Sequence, residues 1–582
     1  MNNEAEAREL LEKYVKRFKE LLPPDAIVDV KVKGKDKVYV EVKREYLPEA
    51  LEKVYWELGG YLSSMVGTDD RGVDGHYKLY YIVSIEEDIR HLQWKPWIVI
   101  YTKVPWDDPS FKSTTPKVPA ASWYEREVKD LLGLEPIGHP DPRRLALPDD
   151  WPEGLYPMRK DFKFYERPPR QPKPYMFRPE KVSEGIVQIP MSPIHALADE
   201  PSQFRLFVDG ERVVDVDYRM FYVFRGLEKL AEERFTYNQT SFLAERVCGI
   251  CGYAHSTAYC EAVEDALDIE VPERAEYIRT IMLEVERLHS HMLNLGIACH
   301  LTAFDWGFME LFRIREKIMK IAEILSGGRK TYGMNLVGGV RRDIPRDKAK
   351  KVIKLLKTVR EEFKRAIDII TSNELFVRRC EGVGILPKKV ARALSVVGPL
   401  VRGSGIPRDV RYDHPYAAYK YIRVKPAVES GCDVLSRLMV RAREVLDALD
   451  IVEHALDQLP GGPILNEEKI ELVEYAKGIG YDEAPRGENV HFVVIGKDSR
   501  VHKWRVRAAT YNNWPALPYM SRDYTITDFP LIVASLDPCY SCTERVVIVD
   551  VKSGKTVTVS YARLVHLSRK VSQNPTHTPQ LL

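Results

Sequence analysis

Residues 244–256 read AERVCGICGYAHS and residues 535–545 read SLDPCYSCTER. Each stretch holds a Cys-x-x-Cys pair, Cys248 with Cys251 and Cys539 with Cys542, and that spacing lets one turn present two thiolates to one metal. A local zinc ribbon joins its two pairs through ~15 to 20 residues, whereas about half of this chain lies between them. A site that uses both pairs is therefore closed by the fold itself. Four thiolates are soft ligands that suit zinc, an iron–sulfur cluster or a nickel centre. Spacing alone leaves these open, along with the plainer reading of buried core thiols.

Composition narrows the field. The 582 residues carry 45% hydrophobic and 30% charged side chains, and 87 Lys and Arg nearly balance 85 Asp and Glu, so there is neither a basic footprint for nucleic acid nor an acidic tail. No uninterrupted apolar run approaches the ~18 residues of a spanning helix, and the opening MNNEAEAREL lacks the basic and apolar regions of a secretory signal. Eight cysteines are too few for a disulfide scaffold in a chain this long, and with no export signal they point to metal or redox chemistry in a reducing compartment. A cytoplasmic location follows as the expectation, with any membrane role supplied by partners.

Along the chain, ARELLEKYVKRFKELLPPDA places Leu10, Leu11, Tyr14, Val15, Phe18, Leu21 and Leu22 on one helical face that Pro23 and Pro24 end. VDVKVKGKDKVYVEV alternates as a hairpin with one polar face, PEALEKVYWELGGYLSSMV reads as helical, and YKLYYIVS and PWIVIYTKVP read as strands. Pro168, Pro169, Pro172, Pro174 and Pro179 then make a stiff, extended linker. Beyond it, two strand-like segments, GIVQIPM and FRLFVDGERVVDVDYRM, lead into three long helical patterns. These begin at Arg274, Lys348 and Cys432, carry apolar residues at i, i+3, i+4 and i+7, and imply a helix bundle.

The flanks of the cysteines carry a resemblance. ERVCGICGYAHSTAYCEAVEDAL and DPCYSCTER resemble the two cysteine signatures of nickel-iron hydrogenase large subunits. EREVKDLLGLEPIGHPDPRRL and PMRKDF are similar to a complex I accessory subunit, and FRGLEKLAEERF, GGVRRDI, RGSGIPRDVRYDHPYAAY and EAPRGE are similar to segments shared with the quinone-site subunit of complex I. The chain thus resembles the energy-converting, complex I-related branch of the family, of the formate hydrogenlyase type. The expected architecture is an α+β N-terminal domain over 1–165, a Pro-rich linker over 166–182, a mainly α helix-bundle hydrogenase large-subunit domain over 183–545, and a C-terminal extension over 546–582.

The resemblance implies a nickel-iron centre whose iron carries carbon monoxide and cyanide, with Cys248 and Cys539 terminal on nickel and Cys251 and Cys542 bridging. It implies that Glu228 carries protons, that Arg486 overhangs the open coordination position, and that Cys539 is the nearer proton acceptor. A buried carboxylate with a raised pKa would suit the role of Glu228. His255 is at best an orienting neighbour of the site. His195 receives no role, because Ala196 stands where relatives carry proline. Arg341, Arg342, Asp343, Arg402, Asp409 and Arg411 read as buried charge networks, and Cys260, Cys299, Cys380 and Cys432 as core thiols.

These single cysteines leave no pair for an iron–sulfur cluster in this chain. The implied partners are an iron–sulfur small subunit with a 4Fe-4S cluster, antiporter-like membrane subunits, a ferredoxin or formate dehydrogenase module, and a maturation endopeptidase that cuts after Arg545. The chain would then sit peripherally on the cytoplasmic face of the membrane. Two other readings remain, a complex I-like quinone subunit without nickel and a scaffold stabilised by zinc.

Overall fold

A computed structural model describes residues 2–86, 89, 94–166, 168–169, 185–191, 200–222 and 224–544. The linker 166–182, apart from 166, 168 and 169, lies outside the described residues, as do His195, Arg545 and the extension 546–582. Residues Met1–Arg545 form one compact unit of mixed α/β structure.

The first helix, Asn2–Glu20, buries Leu11, Tyr14 and Phe18 against a five-stranded sheet. Its strands are β1 (Ile27–Lys33), β2 (Lys37–Val42), β3 (Gly60–Asp70), β4 (His76–Ile85) and β5 (Trp97–Pro105), ordered β1-β2-β5-β4-β3. Only the β2–β5 pair is parallel within this sheet. Two expectations need correcting here. YLSSMV is not helical: the helix Leu47–Glu52 ends in a π turn, the chain reverses at Gly59 (φ 68°), and these residues become the wholly buried β3. The alternating valines of the hairpin are also unequal, because β1 lies at the sheet edge, where Val28 and Val32 are exposed while Val38, Val40 and Val42 of β2 are buried.

Short strands β6 (Ser110–Lys112) and β7 (Glu135–Ile137) pair in parallel, and β8 (Val187–Met191), β9 (Gln203–Asp209) and β10 (Arg212–Arg219) form an antiparallel sheet where strand-like segments were read. Two-residue strands β11 (Asn335–Leu336) and β12 (Gly339–Val340) follow the long helices Glu273–Leu301 and Asp305–Ser326. Helices Arg346–Ser372 and Val434–Asp457 complete the bundle. Arg346–Ser372 buries one face through Val352, Leu356, Val359, Phe363 and Ile370, whereas Glu273–Leu301 is buried almost all round. The latter is the central rod, and its charged residues must find partners inside the protein.

A three-stranded meander of β13 (Lys477–Ala484), β14 (Gly487–Ile495) and β15 (Val501–Arg507) was not anticipated. It packs on the helix Gly252–Leu267 at backbone contact: a Cβ on Gly478 would stand 1.8 Å from the Ala262 carbonyl oxygen, and one on Gly480 would stand 2.0 Å from that of Ala258. Only glycine permits this approach. The meander also meets the N-terminal region, with Arg507 donating to the Ser63 carbonyl of β3 and Arg505 paired at 2.8 Å with Glu127 of the helix Ser122–Leu132. Among the described residues no helix is long and apolar enough to cross a membrane.

Candidate metal centre

The fold brings both cysteine pairs together. Cys248 and Cys251 lie just before and at the N-terminus of the helix Gly252–Leu267, and Cys539 and Cys542 lie at the end of the described chain. Asp537 closes the preceding helix, Phe529–Leu536, in the left-handed conformation (φ 58°), which turns the chain so that Cys539 faces the first pair. All four sulfurs lie within 4.8 Å of one another, with Cys248–Cys539 at 3.3 Å, Cys251–Cys542 at 3.4 Å and Cys539–Cys542 at 2.8 Å. None is more than 7% exposed.

A metal with sulfur bonds of about 2.3 Å in tetrahedral array would set its ligands about 3.8 Å apart, within the range seen here. Burial pushes the Cys248 thiol up, but hydrogen bonds from the other three cysteines and the charge of Arg486 outweigh it and hold it well below its ordinary value. Cys251 is raised by its hydrogen bond to Cys248, and Cys542 by burial and its sulfur neighbours. A soft cation displaces thiol protons on binding, so the donor set fits a thiolate-bound metal.

Arg225 ties the two cysteine segments together, donating to the carbonyls of Val247 at 2.7 Å and Ser541 at 3.0 Å. The Ser541 hydroxyl donates to Glu200, and Tyr332 donates to the Cys248 carbonyl at 2.7 Å. Glu286 receives the N–H groups of Tyr253 and Ala254 at 2.9 Å and so caps the helix that follows Cys251. Burial pushes its carboxyl up to about 8 despite these donors.

Arg486 occupies the turn between β13 and β14. Its carbonyl and the adjacent Gly487 press on Gly398 so closely that a Cβ at Gly398 would stand 2.1 Å from the Arg486 oxygen. The guanidinium spans the Asp537 carbonyl at 2.9 Å, the Asp537 carboxylate at 3.0 Å and the Ser290 hydroxyl at 3.2 Å. Burial opposes its charge, yet Asp537 and the charges of Cys539, Cys251 and Cys248 hold it well above its ordinary value. The structure thus places a fixed cation beside the sulfurs.

Glu228 is 3% exposed in the first turn of the helix Leu227–Arg234. It accepts the Val506 N–H at 2.9 Å and stands 3.7 Å from Arg505. Its sequence neighbours turn elsewhere, since Lys229 pairs with Glu233 at 2.7 Å and Arg225 clamps the cysteine segments.

His255 reaches Cys542 through Nε2 at 3.3 Å, a role that its position four residues after Cys251 signalled. Its other nitrogen meets Nε2 of His491 at 3.1 Å, and Trp504 donates to Nδ1 of His491 at 3.1 Å. Sequence reasoning missed His491 and Trp504 because their strands were not read. His289 meets the Ile250 carbonyl at 3.2 Å, and His291 pairs with Glu444 at 2.8 Å.

Behind Arg486 runs a buried charge network. Arg402 pairs with Glu444 and Glu483 at 2.7 Å, Arg411 with Asp409 at 2.7 Å and Glu284 at 3.0 Å, and Arg287 with Glu284 at 2.9 Å. Arg402, Asp409 and Arg411 were expected in such a network. Arg341, Arg342 and Asp343 are instead exposed: they follow β12 at the surface, where Asp343 pairs with Arg274. Cys260, Cys299 and Cys380 are buried, while Cys432 is only half-buried in a left-handed turn (φ 63°).

Residues 225–307 match the family model described as nickel-dependent hydrogenase. Residues 300–479 and 473–545 match the 49 Kd subunit of respiratory-chain NADH dehydrogenase, and 40–168 match its 30 Kd subunit. The chain is 48% identical over 555 residues to formate hydrogenlyase subunit 5 of Escherichia coli (strain K12), which covers 95% of this chain and 96% of that relative. It is 47% identical over 544 residues to hydrogenase-4 component G of the same organism, covering 93% and 94%. Among solved structures, the membrane-bound sulfane sulfur reductase, an archaeal respiratory membrane complex, aligns with a TM-score of 0.59 at 28% identity, over 63% of this chain and 100% of that one.

Proposed function

The chain belongs to the membrane-bound hydrogenase large subunits of the formate hydrogenlyase and hydrogenase-4 type, and from that membership we propose how its residues serve the reaction. The enzyme interconverts protons and electrons with dihydrogen, in the direction of hydrogen evolution, as part of a membrane-associated complex. The cage of four buried cysteines, closed from opposite ends of the hydrogenase region, is the observation that carries the reading. Cys248, Cys251, Cys539 and Cys542 would hold nickel and iron, the iron carrying carbon monoxide and cyanide. That group supplies the redox chemistry and the cleavage or formation of the hydrogen–hydrogen bond.

The protein's part is to hold charge and move protons. Glu228, buried beside the meander, passes the proton inward. Cys539, as a sulfur ligand, receives it at the site, since a thiolate is both ligand and base. Arg486 keeps a positive charge beside the sulfurs that neither pH nor solvent removes.

Electrons reach the site through an iron–sulfur small subunit with a 4Fe-4S cluster, docked with antiporter-like membrane subunits and fed by a ferredoxin or formate dehydrogenase module. The chain joins the membrane peripherally, from the cytoplasmic side. Residues 1–165 act as a complex I accessory-subunit-like module, a reading supported by the match over 40–168. The catalytic domain spans 183–545, and a maturation endopeptidase removes 546–582 after metal loading.

The test is nickel and iron content of the natively purified complex, together with hydrogen evolution from reduced viologen. About one nickel per chain with turnover supports the reading; stoichiometric zinc without turnover establishes the scaffold. Bound quinone without nickel would favour the complex I-like reading, which the matches to the two NADH dehydrogenase subunits keep in view.

A further inference from the structure

Behind Cys542 three buried rings form a hydrogen-bond chain that has only one possible direction. Trp504 is 0% exposed, and its indole Nε1–H is a donor with no acceptor capacity. It donates to Nδ1 of His491, also 0% exposed, at 3.1 Å. That nitrogen must therefore be bare. A neutral His491 then carries its proton on Nε2 and points it at Nδ1 of His255, 3.1 Å away. By the same rule His255, 1% exposed, carries its proton on Nε2, which faces the Cys542 sulfur at 3.3 Å. A protonated His491 would set its own N–H against that of Trp504, so the neutral form is the one that fits.

The rings are held where they are by the meander. His491 pairs across the ladder with Val506, and Trp504 with Val493, which makes the two rings diagonal neighbours on β14 and β15. Tyr259 of the helix Gly252–Leu267 stacks edge-on against Trp504 at 5.6 Å and 78° and is itself anchored to the Tyr237 carbonyl at 2.8 Å.

We propose that His491 and Trp504 are positioning residues that fix the tautomer of His255, so that a permanent N–H···S hydrogen bond is delivered to Cys542. In the other tautomer the bare Nε2 of His255 would oppose the sulfur lone pairs. Such a bond draws electron density from a ligand thiolate and raises the potential of the metal it serves. The fold thereby sets one electronic property of the centre from two residues that touch neither metal nor cysteine.

This inference rests on the nickel-centre reading above, and the two fail separately: a wild-type complex without nickel sinks that reading before any variant is compared. The experiment uses the natively purified complex and measures nickel content and the nickel midpoint potential by spectroscopically monitored redox titration, for wild type, Trp504→Phe, His491→Leu and His491→Gln. Glutamine can accept from Trp504 through its oxygen and donate to His255 through its nitrogen, which preserves the direction of the chain. His491→Leu is expected to shift the potential to more negative values, Trp504→Phe to shift it the same way by less, and His491→Gln to restore the wild-type value. Nickel retained by His491→Gln but lost by His491→Leu also supports the proposal. An unshifted potential in His491→Leu overturns it, as does an equal shift, or an equal loss of nickel, in His491→Leu and His491→Gln, because packing rather than donor order would then be what the site needs.

Discussion

Gly480→Ala should separate the metal site from the sheet that backs it. The added Cβ would stand 2.0 Å from the Ala258 carbonyl oxygen and 2.4 Å from the Ala262 backbone nitrogen, whereas ordinary contact begins at 3.4 Å. Both atoms are backbone, so no rotamer relieves the overlap, and the helix Gly252–Leu267 must lift from β13 by about 1.4 Å. Overpacking of this kind costs about 1–3 kcal/mol, and the backbone character of the clash argues for the upper end. For a chain of 582 residues the unfolding entropy near 60 °C is about 1.2 kcal/mol/K, so the melting temperature should fall by only about 2–3 °C.

The site should suffer more than the fold. Cys251 caps the N-terminus of that same helix and His255 lies in its first turn, while metal–sulfur bonds of about 2.3 Å tolerate little displacement. Nickel per chain is therefore expected to drop below half of wild type while secondary structure is retained. Elemental analysis and thermal unfolding of the purified complex read both effects. Gly461→Ala serves as the control, since no heavy atom lies within 4 Å of a Cβ placed there. Wild-type nickel in Gly480→Ala, with melting shifted by no more than in the control, would refute the claim that this glycine exists to seat the helix.

Three further outcomes are expected. Glu228→Gln keeps the hydrogen bond from Val506 but cannot carry a proton, so hydrogen evolution should fall by about 10²–10⁴-fold with nickel content unchanged; undiminished turnover removes Glu228 from the proton route. Arg225→Gln unties Val247 from Ser541, and nickel should then leach faster during dialysis against a chelator; a wild-type loss rate would show that the clamp is idle. Burial pushes His291 down to about 4, against its Glu444 partner. A histidine lowered in this way contributes stability that is full above pH 6.5 and lost as pH falls toward 4, about 3 kcal/mol in all. His291→Gln should therefore flatten the fall in melting temperature between pH 6.5 and 4.5 by about 2 °C, and an unchanged slope would assign the acid sensitivity to other groups.

What could be read in the sequence and what could not differ in kind. The long helices declared themselves because an apolar stripe is a local pattern, and the observed helices Glu273–Leu301, Arg346–Ser372 and Val434–Asp457 begin within two residues of where the periodicity places them. The cysteines declared themselves through their flanks, since spacing alone left zinc and core thiols open. The meander did not. Its first strand holds Gly478, Gly480, Asp482 and Glu483 where a strand ordinarily carries large apolar residues, and both departures have distant causes. The glycines answer to the backbone of the helix Gly252–Leu267, and Glu483 answers to Arg402.

The same reasoning explains why Arg341 to Asp343 were misplaced while Arg402 to Arg411 were not. Nothing in either segment states whether a counter-charge waits in the interior. At Arg402 two do, Glu444 and Glu483, each from another element. At Asp343, itself exposed, the partner is Arg274 in the first turn of the central helix. A buried charge is a property of a pair, and its burial becomes legible only once the fold has brought the second member into place. His491 and Trp504 follow that rule as well. As single residues in a strand they are unremarked, and they acquire a direction, and with it a purpose at Cys542, only when His255 is set between them and the sulfur.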